Sequence, residues 1–124
     1  MFDSLKLRFF MSKVQAELIA QYNDQSFVNK VCQLPEHVEQ LDMIRRSAYY
    51  RKEKVAPFLA VCFILGECID SEFLTQEERH IAAALLAQRL QRVSSDPSFR
   101  LRHIMIFGDL DAKLSAWSRE NELA

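Results

Sequence analysis

The sequence predicts an all-α fold, a compact orthogonal or bundle-like arrangement of five to six helices forming one domain over residues 1–124. Three observations carry that prediction. Only two glycines and three prolines punctuate the 124 residues, too few for the tight turns of an all-β domain. Apolar residues recur at three-and-four spacing through most of the chain, which is the period of an α-helix. Cap-forming residues and prolines stand just ahead of several of these runs, where helices start. The length suffices to bury one core without disulfides or metal.

The first helix is expected over residues 2–23, where neither proline nor glycine interrupts. One apolar stripe collects Leu7, Phe10, Met11, Val14, Leu18 and Tyr22. A second collects Phe2, Leu5, Phe9, Ala16 and Ile19, and polar residues fill only two narrow bands between them. A surface helix of a small domain normally buries one stripe. Two stripes imply either a helix sandwiched between layers or one whose second face is reserved for another chain.

Asp24 or Ser26 caps a short second helix carrying Phe27, Val28, Val31 and Cys32. Pro35 suits the first turn of a third helix, whose inner face is Val38, Leu41, Ile44 and Ala48. Its outer face runs from acidic (Glu36, Glu39, Asp42) to basic (Arg45, Arg46, Arg51, Lys52), the order the helix dipole favours. A fourth helix from near Pro57 to about Ile69 is almost wholly apolar and is expected to be buried all round, as the centre of the domain.

Thr75-Gln76-Glu77-Glu78 fits a capping box and opens the fifth helix, which reaches about Val93. Ile81, Ala84, Leu85, Leu86, Leu90 and Val93 are expected to face inward there, with Arg79, Gln88, Arg89, Gln91 and Arg92 in solvent. Asp96 and Pro97 start the last region, where Phe99, His103, Ile106, Leu110, Leu114 and Trp117 keep helical spacing across Gly108. That spacing favours one long helix. A division at Gly108, with Asp109 capping a second helix, is the alternative, and residues 103–107 also fit a short strand with nothing to pair with.

The formal net charge of −1 points to no global field for nucleic acid or membrane. The apolar run over residues 55–66 is too short to span a bilayer. The first ten residues lack the long apolar stretch and small-residue cleavage site of a secretory signal, so a cytoplasmic location is expected. Cys32, Cys62 and Cys68, odd in number and within apolar patterns, suit buried free thiols in a reducing compartment.

Chemistry-bearing motifs are sparse. Glu77 and His80 have the Glu-x-x-His spacing of di-iron bundles, but no second copy exists and Glu78 is engaged by the cap. The cysteines lack zinc-knuckle or Cys-x-x-Cys spacing, and Gly66 and Gly108 are too far apart to build a phosphate loop. His37, His80 and His103 are tied to no nucleophile and are expected at the surface or boundary. No catalytic residue, metal or cofactor is assigned.

The acidic link over residues 67–72, followed by the Thr75 cap, resembles the helix-to-helix turn of tellurite-resistance TerB-like domains. The resemblance is confined to that turn, with Ser71 where the pattern prefers glycine, and the chain is not assigned to the family on it. The link also lacks the alternating ligands and central glycine of a calcium loop.

The expected function is therefore non-catalytic: a small cytoplasmic adaptor, chaperone, inhibitor or accessory subunit that holds another protein, or itself as a homodimer. Phe2, Leu5, Phe9, Ala16 and Ile19 are the partner-binding candidates. The alternative is a nucleic-acid-binding regulator using the segment 45–54, which places Arg45, Arg46, Arg51, Lys52 and Lys54 around Tyr49 and Tyr50. A third possibility is a helical enzyme or small-ligand carrier, which requires a deep pocket with converging polar groups.

Overall fold

The computed structural model describes the backbone of residues 2–47 and 55–122 and the side chains of residues 5–34, 36–47 and 55–121. Among the described residues there are seven helices and no strand, so the fold is all-α. They are α1 (Phe2–Gln21), α2 (Gln25–Cys32), α3 (Pro35–Arg46), α4 (Ala56–Cys68), α5 (Gln76–Ser94), α6 (Pro97–Arg102) and α7 (Ile104–Glu122). The chain divides into two compact units, Met1–Ile64 and Leu65–Ala124, with the division falling inside α4.

In the first unit α1 packs on α2 and α3, and α2 packs on α3. Phe10, Val14 and Leu18 are buried and Leu7 and Met11 half-buried, so the first of the two α1 stripes is the one turned to the core. The chain reverses between Tyr22 and Asp24, whose carboxylate accepts the Phe27 backbone N–H at 3.1 Å and caps α2. Eight residues are too few for a helix to persist alone. Burial of Phe27, Val28, Val31 and Cys32 holds it, each large side chain contributing about 1.5–3 kcal/mol.

Leu34 begins α3 without a side-chain cap, and Pro35 in the first turn removes one N–H that would otherwise go unpaired. His37 follows and is fully buried, not at the surface or boundary. Its ring Nδ1 lies 2.6 Å from the carbonyl oxygen of Val31, in the last turn of α2, where helix carbonyls have no intrahelical partner. The need to satisfy that carbonyl draws the imidazole inside. Leu41 and Ile44 are buried as expected, whereas Val38 is only half-buried. The helix stops at Arg46, because Ser47 turns extended (ψ 115) while its N–H bonds back to Ile44. Ala48, Arg51 and Lys52 lie outside the described residues.

Helix α4 is the most apolar segment, and Leu59, Ala60, Val61, Cys62, Ile64, Leu65 and Cys68 are buried. Phe58 and Phe63 are half-buried, so burial is not complete all round.

In the second unit α5 packs on α6 and α7, and α6 on α7. The capping box is formed in both directions: Thr75 Oγ1 accepts from the Glu78 N–H at 3.1 Å and Glu78 Oε1 accepts from the Thr75 N–H at 2.8 Å. Ala82, Ala83, Leu85, Leu86, Leu90 and Val93 line the buried side, while Ala84 is exposed and Ile81 half-buried. Arg89, expected in solvent, is only 1% exposed. It lies three residues after Leu86 and four before Val93, and this helical phase carries it inward despite its charge.

Asp96 caps α6 through the Phe99 N–H at 3.1 Å, with Pro97 in the first turn. The region is two helices and not the expected single long one, and the division falls at His103, not at Gly108, which lies within α7. The residues 103–107 form no strand; all but His103 are helical. The buried His103 ring stands edge-on to Phe99 at 4.9 Å and close to Phe107, which is also buried. A backbone kink there puts His103, Phe99 and Phe107 on one inner surface. Gly66 of α4 lies close against Leu110 of α7: a Cβ there would come within 2.7 Å of the leucine Cδ2.

Candidate interaction face

A helix turns by 100° per residue, so the angular order of side chains around α1 follows from the numbering. Val14 and Leu18 define the inner side and are fully buried. The opposite side presents Leu5, Ala16 and Phe9 within a narrow sector, and Leu5 is 53% and Phe9 64% exposed. Ala16 is also exposed, whereas Ile19 is half-buried at the edge of the sector. The Phe2 side chain lies outside the described residues. The second stripe of α1 is therefore a solvent-facing apolar strip built around Leu5 and Phe9.

Its borders are basic. Arg8 lies on one side and Lys13 and Lys6 on the other, all exposed. Glu17 is the sole acidic residue over residues 5–21 and is half-buried. Among the described residues neither Arg8 nor Lys13 enters an ion pair. Ser12 lies within the strip, and its hydroxyl donates to the Arg8 carbonyl at 3.1 Å, so its polarity is absorbed by the helix.

Beside α1, the outer side of α3 is mixed in charge, with Glu36 and Glu39 toward its start and the exposed Arg46 at its end. Met43 is 67% exposed, with Glu36 and Glu39 exposed on the same side. Next to Met43 a pocket of about 450 Å³ is lined by Gln40, Met43, Ile44, Ser47 and Phe63. This concavity was not apparent from the sequence, because it needs residues from two helices distant in the chain.

Of the nucleic-acid candidates, Arg45 and Arg46 are both engaged by Asp42. Arg45 Nη2 stands 2.8 Å and Arg46 Nε 3.1 Å from its carboxylate, so each positive charge is partly matched within α3. Tyr49, Tyr50, Arg51, Lys52 and Lys54 lie outside the described residues.

The remaining candidate groups are held locally. His80 accepts from the Gln76 amide at 3.1 Å and sits edge-on to Trp117, with Glu77 exposed. Among the described residues no group of three or more His, Cys, Asp or Glu is placed to hold a metal ion. Cys32, Cys62 and Cys68 are buried free thiols, and burial pushes the Cys32 thiol up to about 11. In the acidic link, Lys113 lies 3.7 Å from Glu67 and 3.2 Å from Asp70, while Ser71 is buried and its carbonyl accepts from Arg79 at 2.9 Å. That turn is held by Lys113 of α7 and Arg79 of α5. No helix among the described residues is long and apolar enough to cross a membrane.

Sequence periodicity missed a second apolar exposure. Leu101, Ile104 and Met105 are exposed around the α6–α7 break, and Met105 reaches 78%. They fall outside the stripe of Phe99, His103 and Leu110, and that phase mismatch was the available signal.

Comparison of the chain with models of known families, with curated proteins and with solved structures finds no match.

Proposed function

We propose that this chain is a non-catalytic protein-interaction module, working as a small cytoplasmic adaptor, chaperone, inhibitor or accessory subunit through the outer face of α1. The observation that supports the reading is the exposure of Leu5 and Phe9 on a helix already anchored by its opposite face. Leaving such side chains in water forgoes about 1.5–3 kcal/mol each, which burial against a partner recovers. Contiguous exposed apolar surface of this kind marks interaction sites.

Site-specific photocrosslinking tests it. A benzophenone side chain replaces Phe9 in one protein and the exposed Gln91 in another, and each is irradiated in its native cell extract. Position 9 is expected to yield one discrete adduct, to a second copy or to another protein, with none from position 91. Absence of an adduct from position 9, or equal labelling from both positions, refutes the reading.

A further inference from the structure

We propose that the partner of the α1 face is an α-helix of another protein, packed along α1 as in a short coiled coil and carrying acidic residues beside its own apolar seam. This rests on the interaction reading above and names the partner's chemistry. Two observations carry it: the spacing of the strip and the sign of its borders.

Along the outer side of α1, Leu5, Phe9, Ser12, Ala16 and Ile19 follow one another at four, three, four and three residues, the alternation of the a and d positions of a heptad. With Phe9 and Ala16 at a, and Leu5, Ser12 and Ile19 at d, Lys6 and Lys13 fall at e and Arg8 at g. A strict a/d stripe is narrower than the face by which a helix attaches to a domain, and a second helix is what it fits. Phe9 protrudes from it, Ala16 lets a partner backbone come close, and the Ser12 hydroxyl is already bonded to the Arg8 carbonyl. In a straight helix such a seam drifts by about 20° per heptad, which brings Ile19 round toward the packed side and accounts for its half-burial. The accessible seam therefore runs from Leu5 to Ala16, about 17 Å at 1.5 Å per residue.

The borders select the sign of the partner, because e and g residues pair across the seam. Two parallel copies of α1 would set Arg8 of one against Lys13 of the other. An antiparallel pair sets e against e and g against g, again cation against cation, and like charges in an interface are repulsive. Arg8 and Lys13 are exposed and enter no ion pair among the described residues, so both are open to an acidic partner. An anionic lipid surface also suits basic borders, but an interfacial helix sinks a broad apolar face into it. Here Ser12 and Ala16 leave Leu5 and Phe9 as the large exposed side chains of the described seam.

The test uses two labelled three-heptad peptide helices with leucine at every a and d position. One has glutamate and the other lysine at every e and g position, so each repels its own kind. Fluorescence anisotropy with the wild-type chain is expected to show micromolar binding of the glutamate helix and at least about tenfold weaker binding of the lysine helix, a difference that narrows as salt rises. Arg8→Glu with Lys13→Glu is expected to reverse the preference. Phe9→Ser should weaken the glutamate helix at least about tenfold, whereas Met105→Ser, in the separate exposed cluster, should leave it unchanged. Circular dichroism checks the fold of each variant, and the comparison of the two helices on the wild-type chain needs none of them.

Equal binding of both helices, or no binding of the glutamate helix, overturns the proposal. So does a wild-type dimer in sedimentation equilibrium that Phe9→Ser disperses. Flotation with vesicles of equal parts phosphatidylserine and phosphatidylcholine, lost in Phe9→Ser and not blocked by the glutamate helix, overturns it in favour of lipid. If the glutamate helix fails to bind while position 9 still crosslinks to another protein, the acidic helix is refuted and the interaction reading stands. With no such adduct, both fall.

Discussion

His37, His103 and Arg89 show at single positions how tertiary demand overrides residue type. All three are buried, although polar side chains are usually at the surface. His37 is placed by the open carbonyl of Val31, His103 by its packing with Phe99 and Phe107, and Arg89 by helical phase. Cys32 has the opposite character, a weakly polar group where an apolar one would serve, and it carries a measurable consequence. Its thiol is raised from 9.0 to about 11 by desolvation, so the folded chain holds the proton more tightly than the unfolded one. The resulting stability is fully present below pH 9 and is lost as pH rises through about 11. Two pKa steps correspond to about 2–3 kcal/mol. Urea unfolding between pH 8 and 11 should therefore show a steeper alkaline decline for the native chain than for Cys32→Ala. Parallel declines would place the alkaline sensitivity elsewhere.

Helix boundaries divide into those fixed by neighbours in sequence and those fixed by packing. The Thr75–Glu78 box and the Asp24 and Asp96 caps are reciprocal or single bonds within three residues, so the sequence displays them directly. Thr75→Ala should cost about 1 kcal/mol in thermal or urea unfolding, and a neutral result would mean that Glu78 alone sustains the first turn. The break between α6 and α7 belongs to the other group. Glycine is the residue from which a break is expected, yet Gly108 continues α7 and the interruption falls on His103, whose ring must turn inward. Nothing local to residues 101–105 encodes that choice. Gly108 then sits exposed inside a helix, and a Cβ added there meets nothing within 4 Å. Gly108→Ala should accordingly stabilise the chain by up to about 1 kcal/mol, through helix propensity and a less mobile unfolded state. A loss measured by calorimetry would show that α7 needs the flexibility of glycine at that point.

At the scale of the whole molecule, hydrophobic phase made the all-α class and the two faces of α1 legible, since both follow from counting residues around a helix. The pocket on the α3 side was not legible, because it joins Met43 and Ile44 to Phe63 across the chain. The division of labour between the two faces makes a prediction independent of any partner. Phe9 is 64% exposed, so Phe9→Glu removes little buried area and puts a good helix former in its place. Unfolding should shift by no more than about 0.5 kcal/mol, as for most surface substitutions. Val14 is wholly buried one turn further on, between Phe10 and Leu18, and Val14→Glu forces a carboxylate into apolar surroundings or keeps it protonated there. A loss of about 4 kcal/mol or more is expected, a large share of the 5–15 kcal/mol that holds a typical domain together. Circular dichroism during urea titration distinguishes the two variants. Equal losses for Phe9→Glu and Val14→Glu in a monomeric chain would mean that both stripes of α1 are internal, and that the exposed strip is no docking face.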